Sequence, residues 1–181
     1  MTLGRRRLVT AAALASVALI AVIAAGCGGK ATRTSPSRTD QTVKGASYTF
    51  AAPVDWRVAR TVRGISAAGN GSRLVSVTVY KLVKRYTPAR FEAAARELDG
   101  VAARLAAGRI GKVTAKKTAT VAGRQVRSYR IDYVHRGESL SQQVTFVLRG
   151  TMEWLLVCRR ASTDPDEPCA QLLSSFTLKA A

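Results

Sequence analysis

From Ser47 onward the apolar positions recur every second residue, switch once to helical spacing, and then alternate again to the end of the chain. Tyr48-Thr49-Phe50 reads as a brief strand. It is followed by Pro53, which limits pairing, and Trp56, which offers a large surface to bury. A return strand is expected over Trp56–Ile65, and Asn70-Gly71 signals a two-residue hairpin because both residues accept positive φ. Leu74–Leu82 sets Val75, Val77 and Val79 against Ser76, Thr78 and Tyr80, the period of a strand with one buried face. Thr87-Pro88 then opens a helix with a cap hydroxyl and a proline in the first turn. Phe91, Ala94, Ala95, Leu98, Val101, Ala102 and Leu105 form one apolar stripe along it, read as core packing, and Gly108 is the expected stop.

Beyond Gly111 the alternation resumes through Val113, Ala115, Ala119 and Val121, turns at Ala122-Gly123, and continues through Tyr129, Ile131 and Tyr133. Gly137 and Gly150 punctuate two further runs, Val144-Phe146-Leu148 and Trp154-Leu156-Cys158, and short connections make these sequential strands antiparallel neighbours. Asp164, Asp166 and Glu167 gather where a short final helix carrying Leu172, Leu173 and Phe176 would begin, a placement the helix dipole favours. Together the elements predict one α+β domain over residues 46–181. It is a mainly antiparallel sheet of about six strands, with one long helix and a C-terminal helix packed on it.

The first residues carry a different pattern. Arg5, Arg6 and Arg7 precede an apolar run from Leu8 to Ala25, which ends in Ile23-Ala24-Ala25-Gly26-Cys27 before a polar stretch. This resembles the lipobox of bacterial lipoproteins, with Ala24 standing where that family usually has Leu. The resemblance implies removal of residues 1–26 as a signal peptide and acylation of Cys27, which would hold the protein on the extracytoplasmic face of the bacterial cell membrane. The same run is just long enough to span a bilayer, so an uncleaved signal anchor is the competing expectation. Residues 27–45 have almost no core-forming side chains and read as a flexible basic tether with a reach of about 20–25 Å.

Charge and cysteine count agree with that compartment. The chain holds 29 basic and 11 acidic residues, a net +18, and losing Arg5, Arg6 and Arg7 still leaves +15. Such a field favours anionic partners. Outside the cytoplasm these are anionic lipid, cell-wall polymer or an acidic envelope protein rather than nucleic acid. Of three cysteines, Cys27 is assigned to lipid, which leaves Cys158 and Cys169 as a disulfide pair in an oxidising setting. Lys81, Lys84 and Arg85 end one strand, Lys112, Lys116 and Lys117 begin another, and Arg124, Arg127 and Arg130 follow. If those strands are neighbours, these residues merge into a cationic face.

The element order, Tyr48-Thr49-Phe50 with Pro53 and Trp56, Thr120-Val121-Ala122-Gly123 before a Tyr-rich strand, and Ser174-Ser175-Phe176 resemble the PsbP-like sandwich. That fold is named for the extrinsic photosystem II protein and also occurs in small actinobacterial lipoproteins. The resemblance covers about residues 47–178 and implies a binding or assembly module. Catalytic signals are thin. His135, the single histidine, sits beside Arg136 near a hairpin turn, and pairing it with Asp132 and a serine would lack any nucleophile elbow. One histidine and two paired cysteines also fall short of a zinc set, and Gly69-Asn70-Gly71-Ser72 lacks the lysine and helix of a phosphate loop. The expectation is therefore a lipid-anchored, non-catalytic envelope module with no cofactor or metal. The alternatives are an envelope enzyme with an unrecognised site and a signal-anchored subunit of a membrane complex. Mass spectrometry of membrane-extracted protein should find a polypeptide beginning at a diacylated Cys27; an intact Met1 or an unmodified Cys27 would reject lipidation.

Overall fold

The longest strand governs the architecture. In the computed structural model, which describes residues 39–179, β8 runs unbroken from Glu138 to Ala161. Its first half pairs antiparallel with β7 (Arg124–His135), from His135 opposite Glu138 to Arg127 opposite Phe146. Its second half pairs antiparallel with β5 (Leu74–Tyr86), from Tyr86 opposite Gly150 to Leu74 opposite Arg159. Adding β6 (Lys112–Val121) outside β7, and β4 (Gly64–Ala68) and β3 (Arg57–Arg60) outside β5, gives a six-stranded sheet in the order β3-β4-β5-β8-β7-β6. A second sheet of three strands is built from β1 (Asp40–Lys44), β2 (Tyr48–Pro53) and β9 (Thr177–Leu178), in the order β1-β2-β9. Two helices complete the domain: α1 (Phe91–Ala107), entered through a 3₁₀ turn at Pro88–Arg90, and α2 (Glu167–Ser175).

Gly150 decides which way half of β8 faces. Its φ is +59°, and the pairing register shifts here, with Lys81 opposite Met152 but Tyr86 opposite Gly150. Such a bulge flips every later side chain to the other face of the sheet. Before it, the even-numbered Val144, Phe146 and Leu148 join the core under α1, made with Leu98, Ala102, Tyr129 and Ile131. After it, the even-numbered Trp154, Leu156 and Cys158 join the second core, with Val75, Val77, Phe50 and Phe176. Sequence alternation treats the two runs as separate strands of one kind. In the structure they are one strand feeding opposite faces.

The second core is closed by the small sheet and α2. Tyr48 stacks near Phe50 and Phe176, with ring centroids 6.3 and 6.0 Å away, and its hydroxyl donates to the carbonyl of Val77 across the interface at 3.2 Å. Cys158 on β8 and Cys169 on α2 form a disulfide with Cα atoms 5.3 Å apart, tying helix to sheet. Closing a loop of this size stabilises a fold by about 3 kcal/mol in the chain-entropy account. Both cores lie wholly between Val43 and Leu178, inside the unit Thr34–Ala181, so that unit carries its own hydrophobic interior.

Several local expectations change. The tether expected over residues 27–45 ends in a strand: Asp40–Lys44 pairs with Thr49–Pro53, Val43 is buried, and the side-chain amide of Gln41 donates to the carbonyls of Pro53 (2.9 Å) and Trp56 (2.7 Å). A single buried valine and one bonded amide gave the sequence little apolar signal for it. Residues 27–38, with Cys27, and the signal segment 1–26 lie outside the described residues. The strand expected over Trp56–Ile65 is a hairpin, β3 and β4, joined through Thr61–Arg63. At Asn70-Gly71 only Gly71 has positive φ (+67°), and a wider loop closes with Gly69 N–H donating to Arg73 O. Ala122-Gly123 and Arg136-Gly137 are the tight turns, with both residues left-handed in each.

The end of α1 also differs. Gly108 stays right-handed (φ −64°), the Thr87 hydroxyl makes no capping bond, and Ile110 takes the left-handed position at φ +53°. That conformation costs a residue with a Cβ about 1–2 kcal/mol, and a β-branched one is a rare occupant. A Cβ at Gly111 would fall 2.7 Å from the carbonyl oxygen of Asp132, so close packing on β7 reserves glycine for that neighbouring position.

Gly150 provides a direct test of the bend. A Cβ there would meet nothing within 4 Å, so Gly150→Ala should lose only the left-handed preference. Urea denaturation should show it destabilised by about 1–2 kcal/mol.

Candidate functional site: a basic groove at the bend of the sheet

Where β8 bends, β5 and β8 meet the turn between β1 and β2 and the C-terminal tail, leaving a groove of about 730 Å³. Arg85, Tyr86, Arg149, Gly150, Trp154 and Lys179 shape it, and no acidic residue lines it among the described residues. Its cations are held without neutralisation. Arg149 Nη1 donates to the carbonyl of Lys179 at 3.1 Å, and Lys179 Nζ donates to the carbonyl of Gly45 at 2.9 Å. None of Arg85, Arg149 and Lys179 joins an ion pair among the described residues. Trp154 forms part of the wall, with its indole N–H donating to Ser47 Oγ at 3.1 Å. Burial raises the phenol of Tyr86, and the positive charge of Arg124 partly offsets that rise.

The cationic face expected along β5 and β6 takes another shape. Those strands are separated by β8 and β7, so their basic residues do not merge across a shared edge. Several are also neutralised. Asp99 on α1 accepts from Arg127 Nε (3.1 Å), Lys116 Nζ (3.2 Å) and the Tyr129 hydroxyl (2.6 Å), while Asp166 pairs with Arg160 at 3.1 Å and Arg130 at 3.8 Å. The hydrogen bonds from Arg127 and Tyr129 hold the Asp99 carboxyl well below the usual carboxylate range. Burial, then the bond to Asp99, push the Tyr129 phenol above its ordinary value. Arg127 Nη2 also donates at 3.3 Å, so each oxygen accepts two bonds and Asp99 pins α1 to the sheet.

His135 is exposed at the end of β7, paired in register with Glu138. Asp132 lies on the other face of that strand and accepts from Thr114 at 2.7 Å, so His135 and Asp132 are not brought together. Arg149 and Lys179 are groove cations that sequence reasoning did not single out, and Tyr86 and Met152 in its apolar wall were missed as well. The available signal was Arg149 immediately before the punctuating Gly150; Lys179 lies in the tail and carried none.

No family model matches the sequence, and no curated protein does. Among solved structures, the cyanobacterial PsbP (CyanoP) of Synechocystis sp. PCC 6803 is similar, with TM-score 0.56 and 12% identity over 86% of this chain and 99% of that one. LpqN of Mycobacterium tuberculosis, a protein involved in cell envelope biogenesis, is similar with TM-score 0.50 and 12% identity over 78% of this chain and 91% of its own. A Bacteroides thetaiotaomicron protein matches with TM-score 0.57 and 8% identity over 78% of this chain, which spans about half (48%) of that protein's length. The fold is PsbP-like. Identity at this level carries architecture, and the groove has to be judged on its own residues.

Asp99→Asn keeps the shape and removes the charge. Because the native carboxyl is depressed, its stabilising effect is full above the ordinary carboxylate range and fades as pH falls through the native value. The variant should be less stable than the parent by about 1–2 kcal/mol at neutral pH, with the gap closing in strong acid, as followed by thermal unfolding.

Proposed function

We propose that this protein is a lipid-anchored, non-catalytic binding module of the bacterial cell envelope, whose groove at the bend of β8 takes an anionic ligand. The observation that carries the reading is the set of cations, Arg85, Arg149 and Lys179, around a groove with no acidic lining residue among the described residues. Elsewhere Arg127, Arg130 and Arg160 are matched by carboxylates, whereas the groove cations meet none among the described residues. A cationic recess of this kind concentrates anionic groups, and its apolar wall of Tyr86, Met152 and Trp154 can pack against the carbon skeleton between them. The PsbP-like fold and the lipobox-like N-terminus support an accessory role outside the cytoplasm. No proton-transfer set converges on the groove, which favours binding over chemistry.

A soluble glycerol phosphate polymer is a suitable probe. Its binding should weaken steeply with salt. Replacing Arg85, Arg149 and Lys179 together by Gln should weaken it by about tenfold or more, while Lys117→Gln, a charge change elsewhere on the surface, should have little effect. Equal binding by the triple variant, or affinity indifferent to salt, would reject the groove as the site.

A further inference from the structure

The far end of α1 presents a second basic surface of different character. α1 spans 17 residues, about 25 Å at 1.5 Å per residue, and its C-terminus stands against the end of β7. Here Ile110 is 97% exposed and Val134 is 63% exposed, and both line a shallow hollow of about 570 Å³ with Arg104, Arg109, Tyr133 and His135. The hollow has no acidic lining residue, and Arg104, Arg109 and Arg136 join no ion pair among the described residues. Glu138, across the hairpin from His135, accepts from the Ser72 hydroxyl.

Ile110 occupies this tip against its backbone preference. Glycines stand at 108 and 111, yet the left-handed residue is Ile110, at φ +53°. The turn is fixed by Gly111 N–H donating to Ala106 O at 2.9 Å and by the close approach of Gly111 to Asp132 and Tyr133, so the isoleucine is held outward. Arg109 is held as well. Its guanidinium lies 5.0 Å from the Tyr133 ring centre, and Nη1 donates to the Tyr133 hydroxyl at 3.2 Å. Exposed β-branched side chains beside unpaired cations, with Arg109 held against Tyr133, match one kind of surface, an interface with anionic headgroups outside and hydrocarbon just beneath.

We infer that the α1–β6 turn and the end of β7 form a bilayer-docking tip, in which Ile110 and Val134 enter the interface while Arg104, Arg109 and Arg136 contact lipid phosphates. This assignment is independent of the groove. Docking would orient a membrane-tethered domain with α1 pointing its C-terminus at the bilayer.

The test uses the unit Thr34–Ala181, whose cores are closed within it, in flotation with phosphatidylcholine vesicles prepared with and without phosphatidylglycerol. The unit should float only with the anionic vesicles. Ile110→Gly leaves net charge unchanged and relieves the left-handed strain, so it should raise the melting temperature while lowering vesicle binding about tenfold. Arg104→Gln with Arg109→Gln should lower binding by a similar factor. The Arg85, Arg149 and Lys179 variant of the groove should float like the parent. Parent-level flotation of Ile110→Gly, flotation with phosphatidylcholine alone, or loss confined to the groove variant would each overturn the assignment.

Discussion

The register change at Gly150 is the constraint from which the rest follows. A strand that alternates strictly delivers all its apolar side chains to one face, yet β8 must complete two cores on opposite faces of the sheet. With φ at +59°, Gly150 inserts the shift, so that Phe146 packs with Tyr129 while Leu156 and Cys158 turn to the other side. Without it Cys158 would face α1, and its bond to Cys169 on α2 could not form. Topology and cross-link thus rest on one backbone conformation that glycine adopts freely.

The groove is a consequence of the same bend. β5 ends opposite Gly150, and the gap is bordered instead by the β1–β2 turn and the C-terminal tail. Both border segments offer backbone carbonyls, which position Arg149 and Lys179 without cancelling their charge. Carboxylates are spent elsewhere. Asp99 and Asp166 anchor the helices to the sheet, and Asp40, Asp55 and Glu167 line a separate acidic hollow of about 540 Å³. Net charge belongs to the whole chain; the ion pairs distinguish the matched cations from the unmatched ones among the described residues.

Much of the fold was legible because burial imposes periodicity. The α1 stripe, the Val75-Val77 face, the Tyr129-Ile131-Tyr133 face and the Ala122-Gly123 turn all stand where the pattern put them. The misses share a cause: position depended on tertiary contacts that leave no local pattern. β1 has one buried apolar residue, and its pairing rests on β2 and on the Gln41 amide. The bulge at Gly150 leaves the parity of both flanking runs unchanged in sequence while reversing it in space. Ile110 is left-handed because the chain must meet Asp132 and Tyr133 at Gly111, a distant demand that overrides the nearer Gly108. Site residues were less legible still, since Arg149 and Lys179 gain their role from backbone partners thirty and more residues away.

Residue-resolved NMR of the Thr34–Ala181 unit during titration with glycerol phosphate polymer tests whether binding follows the bend. Perturbed amides should concentrate at Arg85–Tyr86, Arg149–Trp154 and the tail around Lys179. Shifts confined to the lysines of β6, or spread evenly over the basic surface, would contradict it.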